Sequence, residues 1–453
     1  MNKQPSEPAV NTVPPDKIKE KLAGAIDSVV SHISDFVIVP GKDFTRERKI
    51  PADTLIKFLI AEGSGSTKNE LLDYFDMSTT APSASAFAQQ RAKLKPEAME
   101  AVFKSFNLSI NAFPPPTPYR YIASDGSDLT FARDSSPEMA DYHVDEGHSM
   151  KGFNSMHVNA FYDLGKRTYV DALIQPVHSK DEFSAFCKMV DRFNSFDGTK
   201  AIFIGDRGYS SYNTMAHVIE KGQYFIFRTK DITSKGMARG FNLPDLDEFD
   251  IHVCVSVVRS NSAKIGCPNG YRRFVEKKVA FDYVQYGSSD VYTMSFRVVR
   301  FPISDSEHEC LVTNLPVNEF PAQEIDRLYF MRWGVESSFR KLKYTIGLSN
   351  LHARKTEYVK QEVWARLIAY NFTETMTNNV IVLQNDTKYA YQIDFSVTAH
   401  ICRVFMRLTP NKSGSEVMVL IQKHTQPIRP DRMCERLKTA HFRKPRYFTY
   451  RAA

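Results

Sequence analysis

The stretch YFMRWGVESSFRKLKY spans Tyr329 to Tyr344 and mixes large apolar side chains with charged ones. Within it, Tyr329, Arg332, Glu336 and Lys343 follow one another at intervals of three, four and seven residues. Because an α-helix turns about 100° per residue, these four side chains are predicted to share one stripe about 20 Å long. The apolar residues of the adjoining stripe are Ile325, Leu328, Val335, Phe339, Leu342 and Ile346. The pattern predicts a helix that docks on a core and carries one carboxylate among cations and a phenol.

The position of Glu336 at the border of the apolar stripe allows two interpretations. A carboxylate at the rim of a packed interior is costly unless a cation, a metal ion or several hydrogen bonds compensate it. Charges at three- and four-residue spacing are common on helices, so the simpler interpretation of this stripe alone is a docked helix edged by ion pairs. The other interpretation is a functional carboxylate, and the rest of the chain has to distinguish the two.

Length and charge indicate several domains and a polyanionic partner. The chain has 453 residues and a formal net charge of +7, and this length predicts about two to four domains. A concentration of basic residues near the C-terminus is typical either of nucleic-acid binding or of a solvated tail. These residues are Arg432, Arg436, Lys438, Arg443, Lys444, Arg446 and Arg451.

The cysteine pattern and the hydropathy predict a cytoplasmic protein. Six cysteines are spread over the chain without a C-x-x-C pair, which argues against a zinc module and a disulfide scaffold and predicts a reducing compartment. No apolar run has the length of a membrane span, and the first residues lack the apolar core of a signal peptide.

The first part of the chain is predicted to be helical. Residues 1–16 are polar and Pro-rich and are predicted to be a disordered tail. In residues 17–113, a capping box at Thr67-x-x-Glu70 and a second short segment, SASAFAQQRAKL, predict a helix-turn-helix-like DNA-binding domain with Arg91 available to DNA. A small helical bundle without a DNA role fits these residues equally well. The run PPPTP then ends the helical part.

Two predicted strands each end in an aspartate. YRYIAS leads to Asp125 and is followed by the turn formers Gly126 and Ser127, and AIFIG leads to Asp206. In open α/β sheets ligands bind beyond the carboxyl ends of the strands, although an aspartate at such a point also simply begins a turn. We predict an α/β fold in which residues 119–223 and 316–375 form the core. Residues 224–315 are largely strand-like and predict a β-rich insertion, and residues 376–453 are predicted to be helical and then basic.

Together, Asp125, Asp206 and Glu336 form a candidate catalytic set. Three converging carboxylates repel one another and are stable as a cluster mainly when divalent cations neutralise them. Oxygen-only ligands favour Mg²⁺ or Mn²⁺, and two such ions about 3.5–4 Å apart support in-line phosphoryl transfer. Nearby cations would hold nucleic-acid phosphates. They are Arg207, Arg332, Arg340 and Lys343.

These residues resemble a known family. The spacing of Tyr329, Arg332, Glu336 and Lys343 matches the YREK pattern of the IS-four family of bacterial insertion-sequence transposases, and ASDGS and IGDRGY resemble that family's two aspartate motifs in the expected order. The resemblance implies a ribonuclease-H-like DDE core interrupted by a β-rich insertion. It covers roughly residues 50–375, although the specific motifs occupy three short windows.

The resemblance also implies an activity, cofactors and partners. Asp125, Asp206 and Glu336 would bind two Mg²⁺ ions and catalyse strand cleavage and transfer, while Tyr329, Arg332 and Lys343 would contact the DNA backbone. A homodimer acting on double-stranded element ends in the bacterial nucleoid is expected. Better-understood relatives pass through a hairpin intermediate with an aromatic side chain stacked on a flipped base. The two tryptophans here, Trp333 and Trp364, lie outside the insertion, so such stacking would fall to Tyr or Phe or be absent.

Two other classes compete with a transposase. A domesticated, catalytically silent DNA-binding protein of the same fold needs only the helix-turn-helix-like segment and the basic tail. The intact acidic triad argues against it, because a pure binding protein has no need to assemble repelling carboxylates. A glycosidase with paired carboxylates is disfavoured by the cationic surroundings and the lack of a supporting aromatic motif.

Overall fold

The computed structural model describes residues 13–46, 48–111, 118–145, 152–194, 198–304, 307–382, 384, 388–407 and 413–429. Most of the predicted disordered tail lies outside these ranges, as do the prolines before Pro118 and the basic segment after residue 429. The α-helices are α1 (Pro15–Val30), α2 (Ala52–Ala61), α3 (Thr67–Tyr74), α4 (Ala84–Arg91), α5 (Pro96–Asn111), α6 (Glu182–Arg192), α7 (Tyr212–Glu220), α8 (Ala322–Phe330), α9 (Trp333–Tyr344), α10 (Thr356–Asn378), α11 (Phe395–Met406) and α12 (Gly414–Lys423). The strands are β1 (Tyr119–Phe131), β2 (His143–Val144), β3 (Phe153–Asp163), β4 (Thr168–Pro176), β5 (Lys200–Gly205), β6 (Tyr224–Thr229), β7 (Phe249–Val258), β8 (Tyr271–Phe274), β9 (Val291–Pro302), β10 (His308–Thr313), β11 (Tyr391–Ile393) and β12 (Thr425–Pro427).

The N-terminal region is helical, as the sequence predicts, but its local capping differs. Ser66, rather than Thr67, is the N-cap residue of α3. The predicted partner Glu70 turns away from the cap and accepts hydrogen bonds from the backbone N–H groups of Gly63 (2.8 Å) and Gly65 (2.7 Å). The preceding loop therefore folds back over this carboxylate.

Arg91 lies in the interior, which corrects its predicted contact with DNA. The residue is 5% exposed, and its Nη1 lies 2.9 Å from Glu362 Oε1. Its Nε donates a hydrogen bond to Gln361 Oε1 at 2.9 Å. A buried guanidinium held by a carboxylate is not available to a phosphate, so Arg91 joins α4 to α10 instead. The pair α3 and α4 is present, and its role in DNA binding stays a prediction.

A ten-stranded sheet forms the centre of the molecule. Its order is β2-β3-β1-β5-β6-β10-β9-β7-β8, and β4 pairs with β3. Strand β3 is antiparallel to both of its neighbours, β4 and β1, whereas β1, β5 and β6 run parallel. Parallel neighbours need crossover connections, and α6 and α7 provide them before and after β5.

The strands of the predicted β-rich region extend this same sheet. β6 lies between β5 and β10, and β10, β9 and β7 add to it in antiparallel fashion. In this region Cys254 and Cys267 form a disulfide, which their spacing in the sequence did not predict. The free thiols of Cys187, Cys310 and Cys402 are buried. None of the helices in the described ranges combines the length and apolar character that a membrane span needs.

Helices cover both faces of the sheet, which confirms the predicted α/β class. Side chains of a strand alternate between faces, so Phe203 packs with α6 and α7. Its neighbours Ile202 and Ile204 pack with α8. On β1, Ala123 belongs to the core that includes α5, α9 and α10, whereas Ile122 belongs to the opposite core. The result is a three-layer arrangement with the sheet in the middle.

Helix α10 is the central element of the helical layer. It contacts α1, α2, α5, α11 and β4, and most of its side chains are buried. Asn371, which is fully buried, binds the edge strand β4 as a neighbouring strand would. Its Oδ1 accepts from Tyr169 N at 2.8 Å, and its Nδ2 donates to Tyr169 O and to Asn107 Oδ1, both at 2.7 Å.

Replacing Asn371 with leucine is therefore expected to lower the free energy of unfolding by about 2–4 kcal/mol, because it removes the hydrogen-bond partner of the buried Tyr169 N–H and of Asn107 Oδ1. Urea unfolding followed by circular dichroism measures the change. Glu357→Gln, at an exposed position on the same helix, is the control and should change the free energy by less than about 0.5 kcal/mol. A loss below 1 kcal/mol for Asn371→Leu would contradict this role.

Candidate active site

Asp125 and Asp206 lie side by side because their strands pair in parallel. The ladder between β1 and β5 ends at the pair Ser124 and Gly205, and the next residue of each strand is the aspartate. Neighbouring strands are about 4.8 Å apart. Two carboxylates therefore start from adjacent positions at the carboxyl end of this ladder.

The strand carrying Asp125 does not end there, which corrects the predicted turn at Gly126 and Ser127. β1 continues to Phe131 because it keeps its antiparallel partner β3, with Asp125 opposite Ala160. Only the parallel partner β5 stops. A glycine is required at position 126, because a Cβ there would overlap the imidazole of His157.

The charges of the other two predicted acids act on Asp125. Burial raises the pKa of Asp125 to about 6, and the charges of Asp206 and Glu336 contribute to the rise. The Gly126 N–H, which donates to Asp125 Oδ1 at 2.9 Å, and the charge of Arg332 oppose it. Side chains two residues apart on a strand point to the same face. Asp125 therefore lies on the same face of β1 as Ala123, which packs in the core that includes α9. The structure thus brings Asp125 and Asp206 together with the helix that carries Glu336.

Asp206 is held by its own backbone turn. It is the N-cap of a single 3₁₀ turn, Arg207–Tyr209, and its Oδ1 accepts a hydrogen bond from Gly208 N at 2.8 Å. The side chain is half-buried, and this hydrogen bond fixes one of its two carboxylate oxygens. The phenol of Tyr209 packs beneath: burial, together with the charges of Asp125, Glu182 and Asp206, raises its pKa.

Glu336 lies in the first turn of α9, and the predicted single helix is interrupted before it. Helix α8 ends at Phe330 and α9 begins at Trp333. Between them the N–H groups of Arg332 and Val335 bond to carbonyls three residues earlier, which tightens the turn. The four-residue stripe is therefore not a continuous α-helical one. Its central pair is retained, since Arg332 Nη2 lies 3.0 Å from Glu336 Oε1.

Tyr329 and Arg332 are buried at this junction, at 4% and 7% exposure. The Arg332 guanidinium lies 5.7 Å from the Tyr329 ring centre and 5.1 Å from that of Trp333. The charges of Glu309 and Arg228, themselves paired at 3.0 Å, also act on Tyr329. In this structure both predicted DNA contacts instead touch protein groups that position Glu336.

The other predicted phosphate contacts are more accessible. Arg207, next to Asp206, and Arg340, one helical turn after Glu336, are exposed. Lys343 is half-buried, and its Nζ donates a hydrogen bond to the backbone oxygen of Asp128 at 3.0 Å. Arg207 thus follows Asp206 directly in sequence, Arg340 follows Glu336 by four residues, and both are exposed.

Sequence reasoning missed a second layer of polar residues beside the acids. His157 Nδ1 lies 2.6 Å from Asp128 Oδ1, and its Nε2 lies 3.3 Å from Glu182 Oε1. Burial alone would raise the pKa of Asp128, but His157 and Lys180 lower it below its ordinary value. His157 sits in the middle of β3, whose residues are all buried, and its position opposite Asp128 is visible only once β3 is paired with β1.

The arrangement fits divalent cations bound through oxygen. The three acids come from two strands and a helix, each half-buried, and their like charges act on one another. Oxygen-only donors of this kind suit Mg²⁺ or Mn²⁺. Arg332 neutralises part of the charge but is already paired with Glu336.

Two aspartates on adjacent parallel strands and a glutamate on a helix packed over them define the DDE class of domains. The chain belongs to the transposase DDE domain family, whose model matches residues 116–372. This confirms the family expected from the three motifs.

Curated relatives match shorter stretches. The chain is 43% identical over 100 residues to the transposase InsG for insertion sequence element IS4 of Escherichia coli (strain K12), which is 21% of each chain. It is 36% identical over 62 residues to the putative transposase InsL for insertion sequence element IS186A of the same organism, 14% of this chain and 17% of that relative. The chain thus spans about a fifth of the length of these relatives.

A solved structure of a piggyBac transposase synaptic complex with hairpin DNA matches with a TM-score of 0.44 and 9% identity, over 94% of this chain and 89% of that one.

Replacing Asp125 with asparagine is expected to stabilise the metal-free protein above pH 6. Because folding raises the pKa of Asp125 to about 6, its stabilising contribution is present below about pH 4 and is lost as the pH rises through 6. The variant should be more stable by about 1–3 kcal/mol at pH 8, with the gain shrinking towards pH 4. Urea unfolding in EDTA measures this, with Asp27→Asn at an exposed position as control. A pH-independent difference would contradict the argument.

Proposed function

We propose that the chain is a DNA transposase that cleaves and joins the ends of an insertion sequence by two-metal phosphoryl transfer. The observation that carries this proposal is the electrostatic coupling of Asp125 with Asp206 and Glu336 at the end of the β1–β5 ladder. The family assignment of residues 116–372 supports it. Three half-buried carboxylates that repel one another lower stability, so their assembly is expected where chemistry needs them.

We also propose that the core is ribonuclease-H-like. The order β4-β3-β1-β5-β6, with the first three strands antiparallel and the last three parallel, supports this. The core would comprise the predicted residues 119–223 and 316–375 together with β6 (Tyr224–Thr229), the first strand of the predicted insertion 224–315, because β6 pairs in parallel with β5. Strands β7 to β10 would then be the inserted part. Residues 17–113 and 376–453 would be flanking regions.

Each acid has its own positioning group. The Gly126 N–H fixes one oxygen of Asp125, and the Gly208 N–H fixes one of Asp206. Arg332 holds Glu336, and the Tyr329 and Trp333 rings in turn hold Arg332. When bound, two Mg²⁺ ions would activate the attacking oxygen and stabilise the leaving oxygen of a phosphodiester. Protons compete with the ions for the Asp125 carboxylate, whose pKa burial raises to about 6 in the metal-free protein, so activity at limiting Mg²⁺ should fall as the pH is lowered.

The proposed partner is double-stranded DNA, bound by a homodimer in the bacterial cytoplasm. Arg207 and Arg340 are exposed beside the acids and would contact phosphates. Lys343 links α9 to the backbone of Asp128 and would join them at the border of the site. A hairpin intermediate, if it forms, would be seen among the reaction products.

The decisive experiment incubates the protein with Mg²⁺ and duplex DNA that contains the sequences flanking its own gene. Nicks at the element boundary are expected from the wild type, and Glu336→Gln should reduce their rate at least about 1000-fold while DNA affinity is retained. Glu324→Gln on the preceding helix α8 is the matched control and should cleave normally. Gel analysis of end-labelled DNA also detects hairpin products.

Two outcomes would change the assignment. Cleavage that persists in Glu336→Gln would remove this residue from the mechanism. Specific binding without products in Mg²⁺ or Mn²⁺, by the wild type as well, would favour the silent DNA-binding protein.

Arg340→Gln is expected to weaken binding to end DNA and to reduce the slope of log Kd against log salt by about 1. Arg327→Gln is the matched control, because Arg327 lies on the neighbouring helix but is paired with Glu324 at 2.6 Å. Fluorescence anisotropy at several salt concentrations measures both. Equal slopes for wild type and Arg340→Gln would exclude this contact.

A further inference from the structure

A second cluster of ligand-type side chains lies outside the DDE set. Glu62 directly follows α2, His352 lies between α9 and α10, and Glu362 is in the second turn of α10. Their side chains are 0%, 8% and 1% exposed. One oxygen of each glutamate and one nitrogen of the histidine lie within 4.8 Å of one another.

The imidazole of His352 has a defined tautomer. Its Nε2 lies 2.8 Å from the backbone oxygen of Gly65. A carbonyl oxygen only accepts hydrogen bonds, so Nε2 carries a proton and the neutral ring keeps a lone pair on Nδ1. This Nδ1 is buried without a hydrogen-bond partner in the part of the chain that the structure describes, and it lies 3.7 Å from Glu62 Oε2 and from Glu362 Oε2.

The carboxylate of Glu62 provides a second observation that points to a ligand. Both of its carboxylate oxygens are buried, and neither has a hydrogen-bond partner within the described ranges. The guanidinium of Arg366 next to it donates instead to the backbone oxygens of Glu62 and Gly63. A fully buried carboxylate without hydrogen bonds is among the most costly groups in a protein. Something absent from the polypeptide is therefore expected to satisfy it.

Glu362 is oriented as a metal ligand usually is, by partners behind it. Its Oε1 lies 2.9 Å from Arg91 Nη1, and its Oε2 accepts from the backbone N–H of His352 at 2.7 Å. Such outer contacts fix a ligand's direction. Its Oε2 keeps a second lone pair on the side of His352 Nδ1.

The distances favour a metal ion over a shared proton. A hydrogen bond between Nδ1–H and a carboxylate needs about 2.7–3.2 Å, which is shorter than the 3.7 Å observed to both glutamates. Two ligand atoms that share one ion at about 2.1 Å in tetrahedral geometry lie about 3.4 Å apart. The spacing is thus closer to that of ligands around a common ion.

We propose that Glu62, His352 and Glu362 form a structural site for a first-row transition-metal dication such as Zn²⁺. One imidazole and two carboxylates suit such an ion better than Mg²⁺, which prefers oxygen alone. A cavity of about 220 Å³ reaches one of the three ligands, Glu62. The ion would connect the N-terminal helices, the segment after α9 and helix α10, and it takes no part in DNA cleavage.

The test uses the full chain carrying Asp125→Asn and Asp206→Asn, so that the acidic triad does not bind the probe. After chelator treatment, Zn²⁺ is added, and bound zinc is measured by equilibrium dialysis with elemental analysis. We expect one more bound zinc in this parent than after His352→Gln, and a rise in unfolding temperature with Zn²⁺ that His352→Gln loses. The control is His400→Gln, which removes a histidine lining the same cavity and should keep both effects.

Glu62→Gln makes the test independent of folding defects. Glutamine keeps the shape of Glu62 but removes its buried charge, so the zinc-free variant should unfold at the same or a higher temperature than the parent. It should nevertheless lose the zinc-dependent rise. Equal zinc binding by the parent, His352→Gln and Glu62→Gln would overturn the proposal, as would a zinc-dependent rise that Glu62→Gln retains in full.

Discussion

The parallel register between β1 and β5 is the constraint on which the acidic site depends. Side chains alternate along a strand, so a slip of one residue would turn Asp125 to the opposite face, towards the core of Tyr209. The register is held by burial: Ile122 and Phe203 are paired neighbours that belong to the same core. Apolar packing three residues before each aspartate thus determines that Asp125 and Asp206 are adjacent.

The charged form of the acidic site is electrostatically unfavourable. Burial and two like charges act on Asp125, and Arg332 compensates only one of the three acids by a direct ion pair. The fold tolerates this because the acids are attached to rigid elements: a strand with two partners, a capped turn and the start of a packed helix. A cluster that lowers stability while its surroundings hold it in place is the usual form of a functional site.

Sequence patterns could predict the acids and the elements that carry them, but not the contacts between distant elements. Asp125, Asp206 and Glu336 each sit in a short motif with its own chemical reason. Arg91 was misjudged because its partners lie far along the chain, 270 residues away for Gln361. The length of β1 depends on its pairing with β3. The break before Trp333 depends on packing around Arg332. Local periodicity predicts neither feature. The contacts of His157 with Asp128 and Glu182 can be recognised only when β3 and α6 are placed beside β1.

Because many of its arginines are buried in ion pairs, the net charge of this protein is a poor guide to a DNA-binding face. Several arginines are buried and paired inside the fold: Arg120 with Asp163 at 2.9 Å, Arg300 with Asp231 at 2.9 Å, and Arg332 with Glu336. These cations hold strands and helices together and offer nothing to a phosphate. What is available is the exposed subset, of which Arg207 and Arg340 adjoin the acids. The formal net charge of +7 therefore indicates a phosphate-binding surface only after the buried ion pairs are excluded.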